Sequence, residues 1–148
     1  MNTKAVVESL CMKYGSRDPF EIAQQHGILI RYEHLGTIRG YYNKIFRQRW
    51  IHINADLNEQ EQVFVCAHEL GHAILHPMSN TPFLREHTLF SLSRLEVEAN
   101  QFAVDLIFDD YDLQCLLERP ITDVAYRMGI SIPLAEYRMK SVELVLYR

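Results

Sequence analysis

Residues 58–77 read NEQEQVFVCAHELGHAILHP, and this stretch decides the fold. Asn58, with Glu61 three residues later, has the pattern of a capping box, and apolar residues follow at 63–67, 70 and 73–75 with a helical period. The helix so marked ends at His76-Pro77, because proline cannot continue it. Inside it stands His68-Glu69-Leu70-Gly71-His72. At about 100° per residue, His68 and His72 lie about 40° apart on one face, one turn separated. Two imidazoles so placed can bind one metal ion, and zinc takes two such nitrogens together with a third protein ligand. Glu69 sits beside them, placed to take a proton from water at the metal. Its flanks, VFVCA and AILH, are apolar, so a carboxylate without such a task would be costly to bury.

A third ligand has to come from elsewhere. Residues 94–108, RLEVEANQFAVDLIF, put positions 95, 99, 102, 103 and 106 on one helical face and offer two carboxylates. Glu96 and Asn100 are an i, i+4 pair on one side of that helix. A carboxylate there can bind zinc while the amide one turn on fixes a histidine ring from behind. Glu98 lies about 200° from Glu96 around the helix and is expected to project elsewhere. His76 continues the series 68, 72, 76 and reads as a packing or supporting residue rather than a ligand.

HELGHAILH followed by E-x-E-A-N-x-F-A resembles the ImmA/IrrE family of zinc metallopeptidases, a gluzincin-type group. The resemblance spans about residues 1–110 and, more loosely, the tail. It implies His68, His72 and Glu96 as zinc ligands and Glu69 as the catalytic carboxylate. It also implies a role. Members are typically encoded beside helix-turn-helix repressors on phages and integrative elements, or in stress regulons, and cleave that repressor to derepress transcription. One departure follows the ligand helix, where an L-L-M-P-like stretch is replaced by LIFDD.

Upstream of the motif, residues 3–14 read as an amphipathic helix ending at Gly15, and Asp18-Pro19 opens a second, short one. Residues 28–33, 40–47 and 49–54, rich in aromatic and β-branched side chains, are expected to form a small antiparallel sheet. In it the run Tyr41, Tyr42, Phe46 and Trp50 reads as sheet packing, although an edge strand there could align an extended peptide. His26, His34, His52 and His87 have no spacing partner and read as structural. Residues 77–93, with two prolines and no period, read as a loop bordering a cleft.

Downstream, shorter helices fill 111–147, punctuated by Pro120, Gly129 and Pro133. Residues 121–139, ITDVAYRMGISIPLAEYRM, have the turn of a helix-turn-helix, but the second helix begins Ile132-Pro133-Leu134-Ala135-Glu136, apolar then acidic. A DNA reader needs basic and polar residues there, so helix packing without DNA is the better reading. Tyr137 in this segment could donate a hydrogen bond to a tetrahedral oxyanion or simply pack.

Composition limits the remaining classes. The 148 residues are 48% hydrophobic and 23% charged, which suits a globular chain. Fifteen Lys+Arg against 19 Asp+Glu give a net charge of −4, which argues against nucleic acid as the direct partner. No apolar stretch approaches the roughly 18 residues of a spanning helix, and Glu8 and Ser9 interrupt any secretory core, so no membrane partner is expected. Cys11, Cys66 and Cys115 are odd in number and far apart, which suits buried thiols in a reducing cytoplasm.

The expected protein is therefore α+β, with a three-stranded antiparallel sheet packed on a metal-bearing helix pair and a helical C-terminal part. It is read as one metallopeptidase domain over 1–148, with a catalytic core at 1–110 and helices at 111–148. The expected function is a cytoplasmic zinc endopeptidase cleaving a cognate helix-turn-helix repressor. The alternative is a non-proteolytic antirepressor or antitoxin-like binding protein in which the metal is structural and its coordination closed.

Overall fold

A computed structural model describes residues 2–78 and 89–146 of the chain. Helix α1 (Thr3–Tyr14) begins where the Asn2 side chain accepts from Ala5 N–H and ends at Gly15, whose φ of 64° closes the last turn in the left-handed region. Helix α2 (Pro19–Gln25) is capped by Asp18 and opens on Pro19, whose missing N–H costs nothing there. Strands β1 (Ile28–Glu33), β2 (Gly40–Ile45) and β3 (Gln48–Asn54) follow.

The sheet corrects the antiparallel expectation. Its order is β1-β3-β2, with β2 antiparallel to β3 but β1 parallel to β3. Only Phe46 and Arg47 separate the Ile45–Gln48 pair, so β2 and β3 are locked as a hairpin. From β1 the chain passes through 34–39 to the far edge and returns along the middle, which makes β1 and β3 run the same way. The centre suits β3 because its last four residues, Ile51 to Asn54, are all buried. Tyr42 packs in the interior and Tyr41 stacks on His52 at 4.1 Å, as expected of sheet aromatics. Phe46 does not: it stands 95% exposed in the turn with φ 58°.

Helix α3 (Glu59–Leu75) has the capping box read from the sequence: Glu61 N–H donates to Asn58 Oδ1 at 2.8 Å and Asn58 N–H to Glu61 Oε1 at 3.3 Å. Helix α4 (Leu89–Ile107) begins earlier than expected, so 89–93, read as loop, are helical; of the rest of that loop, 77–78 form a turn and 79–88, with His87, lie outside the described residues. Tyr42 Oη donates to Pro77 O at 3.0 Å and ties the exit of α3 to the sheet.

The chain divides into two compact units, Met1–Ile107 and Phe108–Arg148. The first is built on Val7, Ile22, Ile28, Ile51, Ile53, Leu70, Phe102 and Leu106, contributed by α1, α2, the sheet, α3 and α4. Helices α3 and α4 approach closely at Gly71, where a Cβ would sit 3.1 Å from the Phe102 ring. Arg17 donates to the carbonyls of Asp105 and Leu106 and holds the end of α4. The second unit contains α5 (Asp110–Leu113), a 3-10 turn (Gln114–Leu116), α6 (Ile121–Met128) and α7 (Ile132–Leu146) around Val124, Met128, Ala135 and Val142. Gly129 ends α6 at φ 71°, with Ile130 N–H reaching back to Ala125 O, which is the turn read from the sequence. A feature not foreseen is Arg138, fully buried, donating to Phe108 O at 2.6 Å and to Ser141 Oγ and paired with Asp110 at 2.7 Å. The expectation of buried thiols holds for Cys66; Cys11 is half-buried and Cys115 exposed.

Candidate metal centre

The functional side chains project from α3 and α4 within the first unit. The i, i+4 spacing of His68 and His72 brings their rings to a 4.9 Å centroid separation, edge to face. Both are buried, and Glu69 between them is 1% exposed. Among the described residues, His68, Glu69 and His72 form a group whose potential ligand atoms lie within 4.8 Å of one another.

Glu96 of α4 meets both rings. Its Oε2 lies 2.9 Å from His68 Nε2 and its Oε1 3.0 Å from His72 Nε2. The far nitrogens are held too. His68 Nδ1 is 2.7 Å from Asn100 Oδ1, one turn beyond Glu96, and His72 Nδ1 is 3.1 Å from His76 Nδ1. Glu96 and Asn100, one turn apart on α4, thus both contact His68. Tyr137 belongs to the second unit, half-buried on α7.

Glu98 departs from expectation. Rather than projecting away, its Oε2 lies 3.1 Å from His76 Nε2, and Arg94 approaches its other oxygen at 3.4 Å. Helical phase alone misses this contact because His76 is the C-cap of α3, and its φ of −131° and ψ of 56° leave the helical ladder. The sequence signal that could have found it is the third histidine at the same i, i+4 interval.

Electrostatics follow from this packing. Burial opposes ionisation of Glu96, but the hydrogen bond from His72 and the nearness of both imidazoles outweigh it and hold the carboxyl well below the ordinary range. Burial also opposes charge on His68, yet Glu96 and Glu69 together push it above its ordinary value. At His76 burial wins over the Glu98 contact and the value is lowered. Cys66 is pushed far up by burial, with Asp18 and Glu69 adding to it, which keeps it a thiol.

The donor set fits a metal ion. His68 Nε2 is buried and makes no well-directed hydrogen bond, although a Glu96 oxygen lies 2.9 Å away. The Glu96 carboxylate comes to 2.9 and 3.0 Å of the two imidazole nitrogens, so the three side chains meet at one place. Two imidazoles and a carboxylate are donor types that would hold such an ion.

Residues 23–148 match the family described as the IrrE N-terminal-like domain, peptidase family M78. The chain belongs to the ImmA/IrrE family. It is 42% identical over 138 residues to a relative named uncharacterized immunity region protein 2, from Bacillus phage phi105, covering 91% of this chain and 87% of that one. It is also 37% identical over 109 residues to a protein named metallopeptidase ImmA, from Bacillus subtilis strain 168, covering 72% of this chain. That match spans 63% of ImmA's length. For a family of metallopeptidases, a buried His–Glu–His group on one helix is the expected place for a metal. Among the described residues, no helix is long and apolar enough to cross a membrane.

Proposed function

We propose that this ImmA/IrrE family member is a zinc-dependent endopeptidase that acts in the cytoplasm and cleaves a cognate helix-turn-helix repressor, releasing the genes it silences. The observation that carries this reading is the convergence of His68 Nε2, His72 Nε2 and the Glu96 carboxylate, with the buried Glu69 beside them. His68, His72 and Glu96 would hold the zinc. Bound there, it supplies Lewis acidity for attack of water on a peptide carbonyl. Glu69 accepts the proton of the attacking water and passes it to the leaving amine. Asn100 holds the His68 ring at Nδ1 so that Nε2 keeps its direction. The repressor as substrate is supported by the relative named for a phage immunity region and by the one named metallopeptidase ImmA. A protein rather than DNA as substrate is supported by the start of α7 at Ile132, Pro133 and Leu134, whose side chains offer no donor or charge to base edges or phosphates.

The test is Glu69→Gln. Glutamine keeps the shape and hydrogen bonding of the side chain but cannot accept the proton. The variant should retain about one zinc per chain and lose about 100-fold or more of the cleavage of the repressor encoded beside it. Undiminished cleavage would contradict the mechanism. Tight repressor binding by the wild type with no cleavage would favour the antirepressor reading.

A further inference from the structure

The geometry points to His76 and Glu98 as positioning residues for His72, completing on the second histidine what Asn100 does for the first. The inference rests on the reading of His68, His72 and Glu96 as metal ligands. Given that reading, the protons along the chain have one consistent arrangement. A His72 that offers the lone pair of Nε2 to a metal carries its proton on Nδ1. That N–H points to His76 Nδ1 at 3.1 Å, which must therefore be the acceptor. A neutral His76 accepting at Nδ1 carries its own proton on Nε2, and that N–H donates to Glu98 Oε2 at 3.1 Å. Each nitrogen has one role and each hydrogen bond one direction.

The two ligand histidines are thus supported differently. His68 leans on a neutral amide, whereas His72 leans on an imidazole whose far side faces a carboxylate. The Glu98 charge strengthens His76 as an acceptor and, through it, raises the basicity of His72 Nε2 toward a cation. Burial makes the effect felt: the His76 and Glu98 side chains are 7% and 19% exposed. Arg94, 86% exposed, adds little to the chain. Mere packing would also place His76 here, but it would not fix which nitrogen carries the proton.

Zinc competition against a chromophoric chelator, on the full chain, measures the contribution. His76→Ala and Glu98→Ala should each weaken zinc binding by about 10–100-fold, the scale on which partners of ligand histidines act. Glu98→Gln, which keeps an acceptor oxygen without the charge, should fall between Glu98→Ala and wild type. Val97→Ala, at a neighbouring exposed position, should bind as wild type does. In the zinc-loaded wild type, nitrogen NMR should find His72 protonated at Nδ1 and His76 at Nε2. This readout does not depend on any variant folding. If wild type binds zinc and both alanine variants bind it equally well, or if His76 is protonated at Nδ1, the inference falls while the metal centre stands. If wild type binds no zinc, both fall.

Discussion

His26 shows how one side chain's surroundings translate into pH behaviour. Its Nδ1 lies 2.6 Å from Tyr14 Oη, and its carbonyl accepts from Arg49 at 2.8 Å. Burial lowers its pKa, and the Arg49 and Lys13 charges lower it further. The unfolded chain therefore takes up this proton first as pH falls below about 6.5. Between that point and the lower folded value the unfolded state binds more protons, so stability falls as pH falls. Urea unfolding between pH 7.5 and 5 should show a steeper loss for wild type than for His26→Gln; equal slopes would contradict this. At this scale the sequence was most legible where chemistry imposes a spacing. His68, Glu69 and His72 declare themselves by interval, and Glu96 with Asn100 by a second interval. His76 shares the first interval, but its contact with Glu98 depends on where the α3 cap turns the chain. Arg138 was hidden for a similar reason: nothing local shows that Asp110 and the Phe108 carbonyl will close around it.

Among the elements, β2 and α3 meet at Gly40. A Cβ there would lie 2.7 Å from His52 O and run into Val65, with Glu69 Cγ 3.8 Å away. The carbonyl belongs to the central strand and cannot yield, so Gly40→Ala should cost about 1–3 kcal/mol or more. Gly71→Ala meets the Phe102 ring at 3.1 Å but gains helix propensity of up to about 1 kcal/mol, so its net cost should be smaller. Chemical denaturation of the two variants checks the order, and a Gly40→Ala protein as stable as wild type would contradict it. The helices were legible because caps are local: Asn2, Asp18 and Asn58 each bond the backbone of the helix they begin. Strand direction was not. Alternation and turn residues locate strands, but whether β1 pairs with its sequence neighbour or with β3 depends on which strand the core draws to the centre. The early start of α4 was missed because 77–93 hold two prolines and show no period, whereas the helix begins at Leu89.

Taken whole, the chain carries two units with different means of support. The first relies on apolar packing around the sheet and α3; the second places a fully buried guanidinium among its helices. Removing the partner of a buried charge costs more than replacing the charge itself. Asp110→Ala should therefore destabilise the protein by about 3–5 kcal/mol, and Arg138→Met, which fills the space without charge, by less. Unfolding of the full chain followed by circular dichroism would show it, and the reverse order would contradict it. In the first unit, α3 and α4 bring His68, His72 and Glu96 together as the proposed zinc ligands. X-ray absorption at the zinc edge, on protein loaded with one equivalent, tests this most directly. The spectrum should show two imidazole nitrogens at about 2.0–2.1 Å with oxygen donors at about 2.0–2.2 Å, and Glu96→Ala should retain no zinc under the same loading. A sulfur neighbour at about 2.3 Å, or an unaltered spectrum from Glu96→Ala, would contradict it.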